Sequence, residues 1–581
     1  MMKIKDKLNS AVIKKTLMLI LIGTLGLTAL PGKSDRAYPS DNKHRPFNVT
    51  AKNGMVAAAH PIAAEKGLEI LKKGGNAVDA AVAAAFTLNV VEPFASGIGG
   101  GGFMVIYLAV DKKVTTINFR EKAPAKASPE MFMRGGETDQ TLRTNHGLAV
   151  AVPGALSGWD YALKKYGSMS LNEVLGPAIK TAEYGFVLSR TFSKINKDEY
   201  EKLMLTAGED SCYLNNGLPY EQGDIFKNPD LAETFKTIAS HGITEFYQGA
   251  LAQKIVSIVQ KKGGILDLND LKTYKPIEQQ PLMGSYKDYT LYTVGPPASG
   301  GLHIIQLLNI LEHWPLGKWG FNSAEYIHHF SEALRFIFAD REHYLGDPEF
   351  VDIPVDLLTS DKYGESIASL IDSKRTSENY PFTEFNENIH KKENTTHLCV
   401  VDKDGNIVSL TQSINHFFGS GIVPEKCGFI LNNHMDDFSS RPDSVNSPQP
   451  NFRPLSSMGP LILFKDKSPF LILGSPGGTR IFPSLTQIIV NILDFSMDLD
   501  EAIEAPRFFS YSVMGEARPL SVESRIPEAV LKALEKLGHQ IEIREDYDTY
   551  FGGAQGIMIL EKEGLLHGGA DSRRDGHAAG Y

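Results

Sequence analysis

Only three cysteines occur in the 581 residues, Cys212, Cys399 and Cys427, and none belongs to a C-x-x-C pair. That spacing gives no disulfide framework and no thiolate metal site, and an odd number leaves at least one thiol free. Cys399 lies in an apolar strand pattern and reads as a small buried hydrophobe. The 16 histidines include His328-His329 but no H-E-x-x-H, which argues against a metal hydrolase. No metal or other cofactor is expected. There is no basic excess: the net charge is -10, and no Lys/Arg cluster interleaves with aromatics, so nucleic acid is not the expected partner. The N-terminal apolar run, Thr16 to Leu30, has 15 residues, short of the roughly 20 that a membrane-spanning helix needs.

That run does have the flanks of an export signal. Lys3, Lys5, Lys7, Lys14 and Lys15 precede it, and a polar, Pro-rich stretch follows. Residues 1–35 therefore read as a signal peptide and linker, with the mature chain starting between Gly32 and Asn48. No cysteine follows the run to carry a lipid. A secreted or periplasmic protein with no stable membrane span after signal removal is expected.

Beyond this segment, 42% hydrophobic residues suffice for a sizeable core. Residues 60–92 read as two helices broken at Gly74-Gly75, the second Ala/Val-rich and buried. GIGGGG (97–102) leads into an apolar strand from Phe103 to Val110, and KVTTINFRE forms a second strand ending in Arg120-Glu121. The glycine run lacks the Gly-Lys-Ser/Thr of a phosphate loop and reads as a tight packing loop. The middle of the chain is helix-rich, LHIIQLLNILEHW is a long apolar helix, and 376–394 is a loop without period. Short strands then take over: LCVV and IVSLT flank Lys-Asp-Gly, and LILFKDKSPFLILGSPGG makes another hairpin. DKDGN does not match the order of a calcium loop and reads as a turn. Helices follow, and the C-terminal end returns to strand. Two blocks of strands with helices before and after predict an α+β fold of stacked sheets between helix layers.

The border ENTTH is abrupt, a polar loop running into a strand at Thr395. A three-residue loop, Lys403-Asp404-Gly405, pairs residues whose numbers sum to 808 and sets Thr395 opposite Ser413, with Asn415 diagonal to it. A two-residue loop would place Ile414 there instead. A threonine hydroxyl needs a base, and locally only His397 is near in sequence. A threonine at a chain start carries its own, an α-amine with pKa of about 7.7 to 8.0. That chemistry requires a cut before Thr395.

TTHLCVVDKDGNIVSLTQSINHFFGSG, LNNHMDDF, RPLSSM, GSPGGTR and, upstream, GGNAVDAAVAAAFTLNVVEP, GIGGGGFM, FREKAPAKA and PPASGG resemble the motifs of γ-glutamyltranspeptidases. They occur in family order over nearly the whole mature chain. The resemblance implies a four-layer αββα sandwich of the N-terminal nucleophile hydrolase type, made as a precursor that cuts itself. The large subunit would be 36–394 and the small subunit 395–581, two intertwined chains forming a heterodimer. Thr395 would attack the Asn394 carbonyl and later the γ-amide of substrates such as glutathione, passing the γ-glutamyl group to water or to an amino acid or peptide.

By the same resemblance Ser413 supports the nucleophile, and Gly477 and Gly478 offer backbone N–H groups to the oxyanion. Arg120, Ser456 and Ser457 bind the substrate α-carboxylate, and Asp437 and Asn415 its α-ammonium. Asp436 is assigned less firmly. His434 stands where an acidic residue or Gln is usual, so it must be neutral or turned away. The side chain of Asn394 should matter less than its carbonyl. Residues 439–452 are too few for a lid, which leaves poly-γ-glutamate depolymerase and glutaryl-cephalosporin acylase as sister readings. An uncleaved binding or surface protein is the non-enzyme alternative.

Overall fold

The computed structural model describes residues 48–377, 393–511 and 519–581. The export signal, the linker and most of the 376–394 loop lie outside the described residues. Two antiparallel seven-stranded sheets form the centre. The first runs His577–Gly580, Met55–Ala58, Glu393–Val401, Ile407–His416, Gly101–Leu108, Lys113–Asn118, Ile277–Gln279. The second runs Val49–Ala51, Leu565–Ala570, Gln555–Leu560, Ser468–Gly474, Leu461–Lys465, Tyr289–Thr293, Leu282–Tyr286. In both, strands from before and after residue 394 lie side by side.

Period-two alternation builds the layers. In the strand Glu393–Val401, Cys399 and Val401 point into the apolar space shared with the second sheet, whereas Leu398 and Val400 point to the other face. That other face is covered by helix Ala77–Val91, which is buried along its whole length and is held at its start by a reciprocal cap between Asn76 and Asp79. Helices Ser299–Leu311 and Ile481–Leu493 pack with the second sheet's half of the core. The result is the expected αββα sandwich. All three cysteines are free, and Cys399 is buried between the sheets.

The expected hairpin is present. The Gly405 N–H donates to the Asp402 carbonyl, and Gly405 has φ of 82°, so Lys403-Asp404-Gly405 is the three-residue loop with glycine in the left-handed position. Pairs from Thr396/Gln412 to Val401/Ile407 keep the predicted register. The expectation for Thr395 itself needs correction. A β-bulge interrupts the ladder between Asn394 and Thr396, Asn394 pairs with Asn415, and Thr395 faces both Ser413 and Ile414. The glycine loop is a packing device, as expected. A Cβ on Gly100 would lie 2.0 Å from the Ser413 carbonyl, so the loop can press on the strand behind the bulge only without side chains.

Candidate active site

The bulge shifts the ladder at the Asn394–Thr395 peptide, which is surrounded by hydrogen-bonding groups. Ser413 Oγ donates to the Asn394 carbonyl oxygen at 2.5 Å and accepts the Asn415 N–H at 2.8 Å. Asn415 adopts φ of 76°, a left-handed conformation that asparagine tolerates. The Asn394 side chain also takes part in the contacts of this peptide. Its Oδ1 accepts the Thr395 N–H at 3.0 Å and an Arg574 guanidinium N–H, while the other Arg574 arm donates to the Thr395 carbonyl at 2.8 Å. Arg574 is buried, and Glu92 lies near enough to favour its charge. Glu92 accepts the Thr396 hydroxyl at 2.7 Å, and burial raises its carboxyl to about 7.

His397 does not act on Thr395. Its ring lies within the core, 2.8 Å from Thr411 Oγ1 and 3.2 Å from Cys399 Sγ, and burial lowers its pKa to about 3. No local side-chain base remains in the Thr-Thr-His run.

Thr395 opens on a pocket lined by both charged residues expected there, Arg120 and Asp437. Arg120, fully buried beyond the end of strand Lys113–Asn118, is ion-paired with Asp437 and donates to the Pro454 and Leu455 carbonyls, each at 3.1 Å. Asp437 is the last residue of a short 3-10 turn, His434–Asp437. His434 lines the pocket too, but its Nδ1 lies 2.7 Å from Glu121. Burial, reinforced by the Arg120 charge, holds His434 well below the usual histidine range, and burial raises Glu121 to about 7. His434 is therefore neutral, one of the two conditions set for it. Asp436 does not reach the pocket. It is buried against Arg143 at 2.8 Å and His416 at 3.1 Å and anchors the turn that presents Asp437.

Ser456, Ser457 and Gly478 line the pocket as well, as do Ser413 and Asn415. Gly477 and Gly478 have φ of 132° and 58°, so the chain enters helix Ile481–Leu493 through two consecutive left-handed residues, the first open only to glycine. Arg341, which the sequence reading missed, also lines the pocket, 3.4 Å from Ser299 Oγ and 3.4 Å from Ser457 Oγ.

The γ-glutamyltranspeptidase profile matches residues 63–581. This chain belongs to the γ-glutamyltranspeptidase family. It is 41% identical to a glutathione hydrolase proenzyme of Escherichia coli over 92% of this chain and 93% of that one. It is 39% identical to the glutathione hydrolase proenzyme of Bacillus subtilis over 97% of both. Among solved structures, a cephalosporin acylase from Bacillus halodurans superposes with a TM-score of 0.84 at 30% identity, covering 95% of this chain and 99% of the other. A γ-glutamyltranspeptidase from Helicobacter pylori does so with 0.54 at 38% identity, covering 58% of this chain and 95% of the other.

The short 439–452 segment is anchored through Asn446. Asn446 donates to the Asp437 carbonyl at 2.8 Å and accepts the Leu455 N–H at 3.1 Å, tying the turn that bears Asp437 to the segment that bears Ser456 and Ser457. Glu121, Arg143, Arg341, Asn446 and Arg574 thus contact residues of the pocket or of the turn beside it, and the sequence reading gave none of them a role there.

Proposed function

We propose that this protein is a γ-glutamyltransferase and glutathione hydrolase that matures by cutting itself between Asn394 and Thr395. The observation that carries the reading is the Ser413 hydroxyl 2.5 Å from the Asn394 carbonyl oxygen, at the bulge that interrupts the ladder between Asn394 and Thr396. Attack of Thr395 Oγ on the Asn394 carbon moves negative charge onto the oxygen that Ser413 already holds. Collapse breaks the C–N bond, transfers the acyl group to Oγ and leaves the Thr395 nitrogen as an amine. Water then hydrolyses the ester, releasing the Asn394 carboxylate and the Thr395 hydroxyl.

In the mature enzyme that amine takes the hydroxyl proton as Oγ attacks the γ-amide carbon of the substrate. The proton passes to the departing amine, and a γ-glutamyl ester remains. Water or an acceptor amine resolves it, with Gly477 and Gly478 offering N–H groups to the oxyanion. The two subunits, ending at Asn394 and starting at Thr395, stay together as a heterodimer. The N-terminal signal directs the precursor out of the cytoplasm, and among the described residues no helix is long and apolar enough to cross a membrane.

The substrate's zwitterionic end fits the Arg120–Asp437 pair. Its carboxylate takes Arg120 with help from Ser456 and Ser457, and its ammonium takes Asp437 and the Asn415 side chain, so one ion pair is exchanged for two. Neutral His434 lets the ammonium approach. Asp437→Asn should raise KM for a γ-glutamyl anilide by roughly 10- to 100-fold, the scale of a lost charged hydrogen bond. Hydrolysis of a glutaryl anilide, which has no ammonium, should change little. Equal losses on both substrates would remove Asp437 from ammonium recognition.

A second substrate class, glutaryl amides, is favoured by His434 standing neutral where a second acid would bind the ammonium, and by the fit to an acylase. The open edge left by residues 439–452 similarly leaves room for a poly-γ-glutamate chain. The deciding experiment is denaturing electrophoresis of the purified protein, sequencing of the small fragment, and product analysis from glutathione with and without a dipeptide acceptor. Two bands, a fragment starting at Thr395 and free glutamate or γ-glutamyl dipeptide are expected. A single inert band would refute the assignment.

A further inference from the structure

Away from this site, three ligating side chains meet in the interior. His328 and Glu332 lie one turn apart on the same face of helix Ala324–Tyr344, and His539 follows helix Glu528–Lys536 after Gly538. His328 and Glu332 are fully buried and His539 is 5% exposed. One donor atom from each lies within 4.8 Å of the other two.

The tautomers follow from the surroundings. His328 Nε2 is 2.8 Å from the Asp372 carbonyl oxygen, which can only accept, so His328 carries its proton there. Its Nδ1 lone pair then points at His539 Nε2, 2.9 Å away. An imidazole whose far nitrogen donates to a backbone carbonyl is oriented as metal-binding histidines are. His539 Nε2 faces that lone pair and therefore carries the N–H of this contact. Glu332 accepts the Ser377 N–H at 2.8 Å and lies 3.3 Å from Arg335. A carboxylate has about four acceptor positions, enough to keep both contacts and bind a cation.

We propose that His328, Glu332 and His539 form a site for a zinc-class divalent cation. On binding, the cation replaces the Nε2 proton of His539, which moves to Nδ1, so no net proton is released by the imidazoles. The two nitrogens need separate only to roughly 3.4 Å, the spacing set by tetrahedral Zn–N bonds of about 2.0–2.1 Å. The cation would join the helix bearing His328 to the turn bearing His539, on opposite sides of residue 394 in sequence.

The test uses tag-free full-length protein stripped with chelator, loaded with zinc sulfate, desalted and analysed for metal, with cobalt(II) as a spectroscopic probe. Wild type should retain about one zinc per chain and give the visible bands of a low-coordinate cobalt site. His328→Gln and His539→Asn should each weaken zinc affinity by at least roughly tenfold. The site does not depend on the cut, so uncleaved Thr395→Ala protein should bind the same amount. Failure of wild type to retain zinc, or retention by a folded His539→Asn variant with unchanged affinity, overturns the proposal. His539 lies outside any helix, between exposed Gly538 and Gln540, so this variant decides the matter even if His328→Gln does not fold.

Discussion

Thr395→Ala gives one uncut chain and no measurable turnover of a γ-glutamyl anilide. Removing the hydroxyl removes both reactions at once, because the same oxygen attacks the Asn394 carbonyl and later the substrate. The expected loss in kcat is on the order of 10⁶, the scale reached when a covalent nucleophile is deleted from a hydrolase. Nothing nearby compensates, since His397 is held in the core by Thr411 and Cys399. The variant should retain the fold, because the Arg574 contacts to this peptide go to the Thr395 carbonyl and the Asn394 amide, not to the deleted hydroxyl. Two fragments from this variant, seen on a denaturing gel, would refute Thr395 as the nucleophile.

Ser413→Ala should fold and cut slowly. It withdraws the Ser413 donor from the Asn394 carbonyl and leaves the Asn415 N–H without its acceptor. Loss of one such donor slows related steps by about 10²–10³. A time course of precursor disappearance after refolding measures the effect directly, and Ser413→Thr should recover most of the rate because it restores the hydroxyl. Cleavage of the alanine variant at the wild-type rate would show that Ser413 does not polarise this carbonyl.

Legibility of the site tracked the distance over which each feature is encoded. The hairpin could be read because a Lys-Asp-Gly turn and period-two alternation are local, and they led to the Thr395/Ser413 neighbourhood to within one residue. The bulge could not be read. It depends on Asn415 taking a left-handed conformation beside Asn433 and on Gly100 pressing against Ser413, contacts made by three distant segments. Arg574 lies 179 residues from the carbonyl it holds, and nothing in its local sequence distinguishes it from a surface arginine. Arg120 and Asp437 were named as separate clamps, and only the fold shows that they face each other. Asp436 and Asp437 are adjacent in sequence yet serve different ends, because one turn sends the first to Arg143 and the second to the pocket.

The interleaving of strands from before and after residue 394 in both sheets gives maturation a direction in time. The intact precursor finds its pairings as a single chain. Once the bond is cut, the same pairings join two molecules whose strands are neighbours in both sheets, and neither piece can leave without breaking those pairings. If they are forced apart by denaturant, reassembly becomes a second-order search, slower with every dilution. Scission thus erases the folding route that produced the enzyme, and the mature protein persists on its unfolding barrier alone.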